Sequence, residues 1–170
     1  VVLKPESLTP LTALMLGQLA QEAGLPDGVL QVVPGSGSEA GNALATHPLV
    51  RKIGFTGSTE VGATIMKLAA DDIKRVSLEL GGKSPNIVFA DADWQRAAAE
   101  SPMSVFANTG QDCCARSRMF IEQSVFDGFV DKFVAATESL KIGDPMDEAT
   151  QVGPMVSAAQ RELSESHIAG

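Results

Sequence analysis

Two segments carry residue types that could perform covalent chemistry. Phe106-Ala-Asn-Thr-Gly-Gln-Asp-Cys-Cys-Ala-Arg116 holds the only two cysteines of the 170-residue chain. Leu78-Glu-Leu-Gly-Gly-Lys83 places a carboxylate one residue ahead of paired glycines. A cysteine among small and polar residues is open to a substrate, and it becomes a nucleophile when its thiolate is favoured or a base lies near. The sequence therefore predicts Cys113 as a nucleophile, and Glu79 as the group that takes a proton from a thiol or a water.

Other interpretations of Cys113 fit the sequence less well. A buried structural cysteine is the commoner fate of this residue type, but the polar neighbours of Cys113 argue against it. A protease-like cysteine needs a histidine, and the only two, His47 and His167, lie in no recognisable motif and are interpreted as surface residues. A structural zinc site needs four nitrogen or sulfur ligands at fixed spacing. No metal is expected on this basis.

Two glycine-rich turns compete for the phosphates of a dinucleotide. Gly35-Ser-Gly-Ser-Glu-Ala40 fits the pattern G-x-G-x-x-G/A, and Phe55-Thr-Gly-Ser-Thr-Glu-Val-Gly62 also lies between a predicted strand and a predicted helix. Either could offer backbone N–H groups and a helix N-terminus to a pyrophosphate. The patterns alone do not choose between these turns, or between them and ordinary turns of an α/β protein. Gly82-Lys-Ser84 resembles the end of a Walker A loop, but Ser77 stands where that loop needs a glycine.

The elements that must position these residues alternate between strand and helix. Strands are predicted at Val1–Lys4, Val29–Val33, Lys52–Phe55, Arg75–Leu80, Asn86–Phe89 and Met119–Glu122. Helices are predicted at Leu11–Ala23 with Thr9 as N-cap, Glu39–Thr46, Ser58–Ala70, Trp94–Ala99 towards Phe106 with Asp91-Ala-Asp93 as the capping segment, and Ser124–Leu140. This order indicates βαβ units with right-handed crossovers. The expected fold is α/β, with part of a doubly wound parallel sheet in residues 1–81 and the first part of a second α/β domain in residues 82–170.

Composition narrows the class of partner. The apolar fraction of 44% and charged fraction of 20% are those of an ordinary globular protein. The net charge of −8 and scattered basic residues argue against nucleic-acid binding. No apolar run approaches the roughly 18–20 residues of a membrane span, and no signal-peptide pattern is present. Because two adjacent cysteines cannot build a disulfide framework, a reducing, cytoplasmic setting is expected.

Several motifs together resemble the aldehyde dehydrogenase superfamily. The segments 78–85, 106–115 and 55–62 are similar to its glutamate signature, its cysteine signature and its cofactor-binding turn. Further segments fall in the family's order: Lys4-Pro5, Thr9-Pro10, Val33-Pro-Gly35, Asp91-Ala-Asp93, Ser117-Arg118 and Gly143-Asp-Pro145 with Gly153-Pro154. The resemblance covers essentially all 170 residues. It implies NAD(P)-dependent oxidation of an aldehyde.

The resemblance also implies a role for each candidate catalytic group. Cys113, rather than Cys114, would attack the aldehyde, because it follows Gln111 by two residues as in the family's motif. The product would be a thiohemiacetal, then a thioester that water hydrolyses with Glu79 as general base. The backbone N–H of Cys113 would donate to the developing oxyanion. The family's second donor is an asparagine from a segment that precedes residue 1.

For the cofactor, the resemblance implies contacts in four places. They are Lys4 at the adenosine ribose, Gly37 near the adenosine, Thr56, Gly57, Ser58 and Val61 in the cofactor-binding turn, and Leu80 and Gly81 at the nicotinamide. Many NAD-preferring members carry a glutamate three residues after the lysine, where this chain has Ser7. Without that carboxylate a 2′-phosphate meets no like charge, and a hydroxyl can donate to it. We therefore expect NADP to be accepted, alongside NAD.

Alternative functions remain open beside this hypothesis, and the chain is expected to be part of a longer protein. Within the enzymes the rivals are a non-phosphorylating glyceraldehyde-phosphate branch and an acylating semialdehyde branch. The acylating branch would keep the cysteine without needing Glu79 for hydrolysis, so Glu79 argues against it. A non-catalytic relative on the same scaffold is disfavoured by the presence of both Cys113 and Glu79. The chain begins within a predicted strand and ends within a predicted helix, so we expect a fragment that is inactive alone. The full-length protein is expected to form a homodimer or homotetramer.

Overall fold

The structure is a computed structural model that describes residues 1–170. The chain divides into two compact units, Val1–Leu80 and Gly81–Gly170. Each unit is described by itself below. Their assignment to a cofactor-binding and a catalytic domain stays a prediction.

The first unit is built from parallel strands and three helices. The strands are β1 (Val2–Leu3), β2 (Gln31–Val32), β3 (Lys52–Gly57) and β4 (Arg75–Leu80), and the helices are α1 (Leu11–Glu22), α2 (Asn42–Thr46) and α3 (Thr59–Ala70). The α/β class and the parallel pairing agree with the sequence-based expectation. The strands join two by two, however, as β1–β2 and β3–β4. Residues of β1 and of β3 line one cleft of about 680 Å³.

Local signals explain the ends of α1 and α3. Ser58 caps α3, because its hydroxyl accepts a hydrogen bond from the Val61 N–H at 3.3 Å. Gly24 follows α1 at φ +87°, and the Leu25 N–H bonds the Ala20 carbonyl at 2.9 Å, as in a Schellman ending. The expectation for Thr9 is wrong. Pro10 occupies the N-cap position with helical dihedrals, and no side chain caps the helix.

The second predicted helix of this unit has a mixed geometry. A π-helical turn covers Gly37–Gly41 and passes directly into α2. Ser36 starts the turn, because its hydroxyl accepts the Glu39 N–H at 3.1 Å. The glycine-rich turn after β2 therefore leads into a short, irregular helix, whereas the turn after β3 leads into the regular twelve-residue α3.

Strand β4 alternates as its sequence predicts. Val76, Leu78 and Leu80 are half-buried, while Ser77 and Glu79 are exposed. Helix α3 packs tightly on the half-buried face. A Cβ at Gly62 would lie 2.8 Å from Leu80 Cδ2, so a larger residue at this position would require the Leu80 side chain to move.

The second unit contains one parallel strand pair and three helices. Strand β5 (Pro85–Val88) pairs with β6 (Arg118–Ile121). The helices are α4 (Trp94–Phe106), α5 (Phe126–Glu138) and α6 (Ala158–Ala169), with 3₁₀ turns at Ala107–Gly110 and Gln123–Val125. The core of the unit consists of Val88, Ala98 and Phe129, against which Trp94 and Phe133 pack. No helix in the structure is both long enough and apolar enough to cross a membrane.

Two carboxylates form hydrogen bonds beside this strand pair. Asp93 caps α4 by accepting the Arg96 N–H at 3.2 Å, and it is the last residue of the predicted capping segment Asp91-Ala-Asp93. Glu122, just after β6, accepts the Ala90 N–H at 2.8 Å and the Ser124 hydroxyl at 3.0 Å. These hydrogen bonds lower the pKa of the Glu122 carboxyl, because they stabilise its charged form. The carboxylate thereby links the ends of β5 and β6.

Candidate active site

The cysteine loop begins where α4 ends. Phe106, the last residue of α4, lies against Phe133 of α5 with ring centroids 6.5 Å apart. Three consecutive residues then take left-handed dihedrals: Asn108 at φ 50°, Thr109 at φ 61° and Gly110 at φ 73°. A β-branched residue rarely adopts this conformation, so the loop is held against local preference. It brings Cys113 and Cys114 to the surface, where both thiols are free and exposed.

Hydrogen bonds to a distant segment hold the loop in this shape. The Thr109 hydroxyl donates to the Gly153 carbonyl at 2.9 Å, and the Val156 N–H donates to Gln111 Oε1 at 3.1 Å. Within the loop, Gln111 Nε2 donates to the Asn108 carbonyl at 2.9 Å. Thr109 has no role in the sequence-based prediction. The only sequence signal for it is the polar run Asn-Thr-Gly-Gln, because the carbonyl groups that Thr109 contacts lie 44 and 45 residues further along the chain.

The environment of Cys113 raises the pKa of its thiol. The largest cause is the hydrogen bond with Cys114, whose Sγ lies 3.7 Å from Cys113 Sγ, and the charge of Cys114 adds to it. The thiolate is therefore not favoured by its own loop, and a nucleophile at this position needs a base. The backbone N–H of Cys113 donates to no other residue, while the next N–H, of Cys114, donates to Asp112 Oδ1 at 2.9 Å.

Glu79 lies near the carboxyl end of β4, opposite Thr56 of β3. Its side chain is exposed, on the face of the strand opposite to Leu78 and Leu80. Glu79 belongs to the first unit and Cys113 to the second. Their action as a pair stays a prediction.

Lys4 and Ser7 converge on one carbonyl of the first glycine-rich turn. Lys4 Nζ donates to the Gly35 carbonyl at 3.1 Å and to the Pro5 carbonyl at 2.6 Å, and the Ser7 hydroxyl donates to the Gly35 carbonyl at 3.2 Å. Gly37 lies two residues further on, and nothing approaches within 4 Å of the position of a Cβ there. The structure thus gathers Lys4, Ser7 and this turn beside the carboxyl ends of β1 and β2.

The second turn gathers four more predicted residues at the carboxyl ends of β3 and β4. Gly57 pairs in register with Leu80, and Thr56 precedes it in β3. A Cβ on Gly57 would lie 2.4 Å from Phe55 Cζ, so glycine here leaves room for the Phe55 ring in its present position. The sequence interpretation gave a different reason, close approach to a ligand. Ser58 and Val61 form the cap of α3, which commits the Val61 N–H to the Ser58 oxygen.

These two groups fit an anionic dinucleotide. In parallel α/β sheets ligands bind outside the carboxyl ends of the strands, where all the predicted contacts of the first unit lie. The N-terminus of α3 supplies a positive dipole end, and Lys4 supplies a positive charge. Gly81, the first residue of the second unit, also has no atom within 4 Å of a Cβ position.

Comparison with known proteins agrees with this arrangement of motifs. The model of the aldehyde dehydrogenase family matches residues 1–170. Cytosolic 10-formyltetrahydrofolate dehydrogenase of Pongo abelii is 54% identical over 155 residues, which cover 91% of this chain and 17% of that protein. The chain therefore spans less than a fifth of the length of this relative.

Solved structures share the fold. The NAD-dependent aldehyde dehydrogenase of Sinorhizobium meliloti superposes with a TM-score of 0.97 at 43% identity, covering 99% of this chain and 34% of that one. An NADP-dependent enzyme of E. coli gives a TM-score of 0.95 at 47% identity, covering 99% of this chain and 35% of that one. With its whole length matched by the family model, the chain belongs to the aldehyde dehydrogenase family.

Proposed function

We propose that the protein containing this chain oxidises an aldehyde to a carboxylic acid with NAD or NADP. The observation that carries the proposal is the family match over the whole chain, together with an exposed Cys113 and an exposed Glu79 inside the two signature segments. A scaffold without catalysis would have no need to hold a free thiol at the surface on a strained loop.

Cys113 acts first, as the nucleophile. Its Sγ attacks the aldehyde carbon, and the carbonyl oxygen becomes an oxyanion in the thiohemiacetal. The backbone N–H of Cys113, which donates to no other residue, supplies one hydrogen bond to that oxygen. Because Cys114 raises the pKa of Cys113, the thiol must lose its proton to a base before attack.

Glu79 serves the second half of the reaction. Loss of a hydride from the thiohemiacetal leaves a thioester on Cys113. Glu79 removes a proton from a water, the water attacks the thioester, and the carboxylic acid leaves as the thiol is restored. An exposed carboxylate at the end of a strand, followed by two glycines without side chains, allows water and substrate to reach it.

NAD or NADP, when bound, accepts the hydride. Ser58 and the N-terminus of α3 would hold the pyrophosphate, with Thr56, Gly57 and Val61 forming the turn around it. Lys4 and Ser7 would hold the adenosine ribose beside Gly37, and Leu80 and Gly81 would line the nicotinamide.

Single-turnover kinetics of the full-length protein test this proposal. Cys113→Ala should abolish aldehyde-dependent reduction of the cofactor. Glu79→Gln should retain a burst of about one reduced cofactor per site but lose steady turnover, since deacylation is the step that the proposal assigns to Glu79. Full steady turnover by Glu79→Gln, or turnover that depends on an external thiol acceptor, would contradict hydrolysis and favour the acylating branch.

Cofactor choice follows from Ser7. Ser7 carries no negative charge, and its hydroxyl and the Lys4 ammonium meet at the Gly35 carbonyl, so a 2′-phosphate placed there finds a cation and a hydroxyl where a glutamate would repel it. We expect the full-length protein to use NADP as well as NAD, and Ser7→Glu to shift the ratio of kcat/KM towards NAD by about tenfold or more. Ser7→Ala is the matched control without charge. A wild-type protein with negligible NADP activity would refute this assignment.

A further inference from the structure

Three consecutive residues of the cysteine loop present possible metal ligands to the same place. The Sγ atoms of Cys113 and Cys114 and a carboxylate oxygen of Asp112 all lie within 4.8 Å of one another. All three side chains are exposed. The Cys114 N–H donates to Asp112 Oδ1 at 2.9 Å, which turns the carboxylate back over the loop. This set has three protein ligands, one of them a carboxylate, and so differs from a structural zinc site with four nitrogen or sulfur ligands, which the sequence does not offer.

The distance between the two sulfurs shows whether the pair is better suited to share a metal ion or to form a disulfide. A tetrahedral ion with metal–sulfur bonds of about 2.3 Å needs sulfurs about 3.8 Å apart. The Sγ atoms of Cys113 and Cys114 lie 3.7 Å apart, which fits that geometry without movement of the loop.

A disulfide fits this pair less well. Consecutive Cα atoms are about 3.8 Å apart across a trans peptide. The two Cα atoms of an ordinary disulfide are about 4.4–6.8 Å apart. Closing a bond between Cys113 and Cys114 would require the two Sγ atoms to move from 3.7 Å to about 2.0 Å apart, whereas a shared ion would require no movement.

We propose that Asp112, Cys113 and Cys114 form a binding site for a thiophilic divalent cation, Zn²⁺ or Cd²⁺. Two metal–sulfur bonds form as the two thiols release their protons, the Asp112 carboxylate is the third ligand, and water completes the tetrahedron. The ion keeps its oxidation state. Hard cations such as Mg²⁺ and Ca²⁺, which prefer oxygen ligands, are not expected to compete.

Occupancy of the site has a functional consequence that rests on the proposed function. A cation on Cys113 Sγ takes the electron pair that the nucleophile needs. Zn²⁺ is therefore a reversible inhibitor of the dehydrogenase, and a chelator restores activity. Cys114, which has no role in the proposed reaction, provides the second thiolate.

Cadmium titration of the reduced full-length protein tests binding without any activity measurement. The wild-type protein should develop the ultraviolet charge-transfer absorption of a cadmium thiolate with one equivalent of ion, and a thiol reagent should then find Cys113 and Cys114 protected. Cys114→Ser should weaken Zn²⁺ and Cd²⁺ binding at least about 100-fold, since loss of even an outer partner of a metal ligand costs 10–100-fold. Asp112→Asn should weaken binding about tenfold. Glu148→Gln, which also neutralises one exposed carboxylate, should leave binding unchanged.

Each outcome has a definite meaning. Absence of the absorption band in the wild-type protein, or equal affinity in wild type and Cys114→Ser, would overturn the proposal. Inhibition by Zn²⁺ that persists in Cys114→Ser would also overturn it, because the inhibitory ion would then bind elsewhere. Cadmium binding at the two thiols in a protein without dehydrogenase activity would support the metal site and count against the proposed function alone. Circular dichroism of each variant shows that the fold is intact.

Discussion

At the scale of single residues, the thiol of Cys113 is set by its neighbour. The hydrogen bond with Cys114, and then the charge of Cys114, raise the pKa of Cys113. A raised pKa leaves a smaller fraction of thiolate at neutral pH, so the loop by itself makes Cys113 less reactive. The adjacent Cys114 thus lowers the thiolate fraction of Cys113, and a base is needed to remove the thiol proton.

Removing Cys114 should therefore make Cys113 more reactive. Cys114→Ala takes away both causes, so the pKa of Cys113 falls and the thiolate fraction at any pH below it rises. The rate of alkylation by iodoacetamide as a function of pH, followed at Cys113 by peptide mass spectrometry, should have a midpoint at lower pH than in wild type. Ala115→Ser, an equally small change one position further on, serves as control. An unchanged midpoint would show that the two thiols are not linked.

Ile73 adopts an unfavourable backbone conformation without burying its side chain. This β-branched residue has φ 51°, in the left-handed region, and its side chain is 91% exposed. Ile73→Asn should stabilise the protein by about 1 kcal/mol, because asparagine tolerates this conformation and little apolar burial is lost. Thermal unfolding of the full-length variant measures the effect. Ile168→Asn, an equal change at an exposed helical position, should stay within about 0.5 kcal/mol of wild type.

At the scale of elements, the cysteine loop depends on the segment that precedes α6. Thr109 and Gln111 form hydrogen bonds with Gly153 and Val156, far away in sequence. These bonds hold three left-handed residues in place and so determine where Cys113 lies. They act through position and make no contact with the reacting thiol.

Thr109→Val should loosen this link while preserving side-chain shape. We expect a loss of about 1 kcal/mol in the free energy of unfolding, because one hydrogen bond is removed. Hydrogen exchange at the Val156 amide should become faster, and kcat should fall more than KM changes. Thr109→Ser, which retains the hydroxyl, should behave as wild type. Equal exchange rates in the valine and serine variants would show that the link does not hold the loop.

At the scale of the whole molecule, the chain exposes far more surface than its mass requires. Its accessible surface is 12055 Å² for 17.7 kDa. Two separate compact halves of that mass would together expose about 9,600 Å². Many large apolar side chains lie at this surface. Helix α1 has no buried residue, and five apolar side chains along it are 41–77% exposed: Leu11, Leu14, Met15, Leu16 and Leu19.

This exposed surface predicts the behaviour of the chain when it is produced alone. The 170-residue chain should bind the dye ANS and self-associate, because unpaired strand edges and apolar helix faces remain uncovered. The full-length protein should bind far less dye per mole. Dye fluorescence and light scattering on the two proteins make the comparison. A monomeric, dye-free 170-residue chain would contradict it.

The elements of the first unit show which features are local enough to predict. Strand β4 and helix α3 lie where the sequence places them, because alternation and the Ser58 cap depend only on neighbouring residues. The cap of α1 was missed by one residue, since Pro10 adopts helical dihedrals without a hydrogen-bonding side chain before it. The division of the expected sheet into separate strand pairs was also missed, because strand pairing depends on contacts between segments that are distant in sequence.

The sequence by itself determined the family, the α/β class and the identity of Cys113 and Glu79 as candidate catalytic residues. Each of these follows from residue types at fixed short spacing, and such motifs can be identified without knowledge of the tertiary structure. Only the tertiary structure revealed the Thr109 link, the left-handed run before the cysteines, the meeting of Lys4 and Ser7 at Gly35, and the 3.7 Å between the two sulfurs. The physical reason is that these features depend on backbone dihedrals and on partners up to 45 residues apart, which no local pattern encodes.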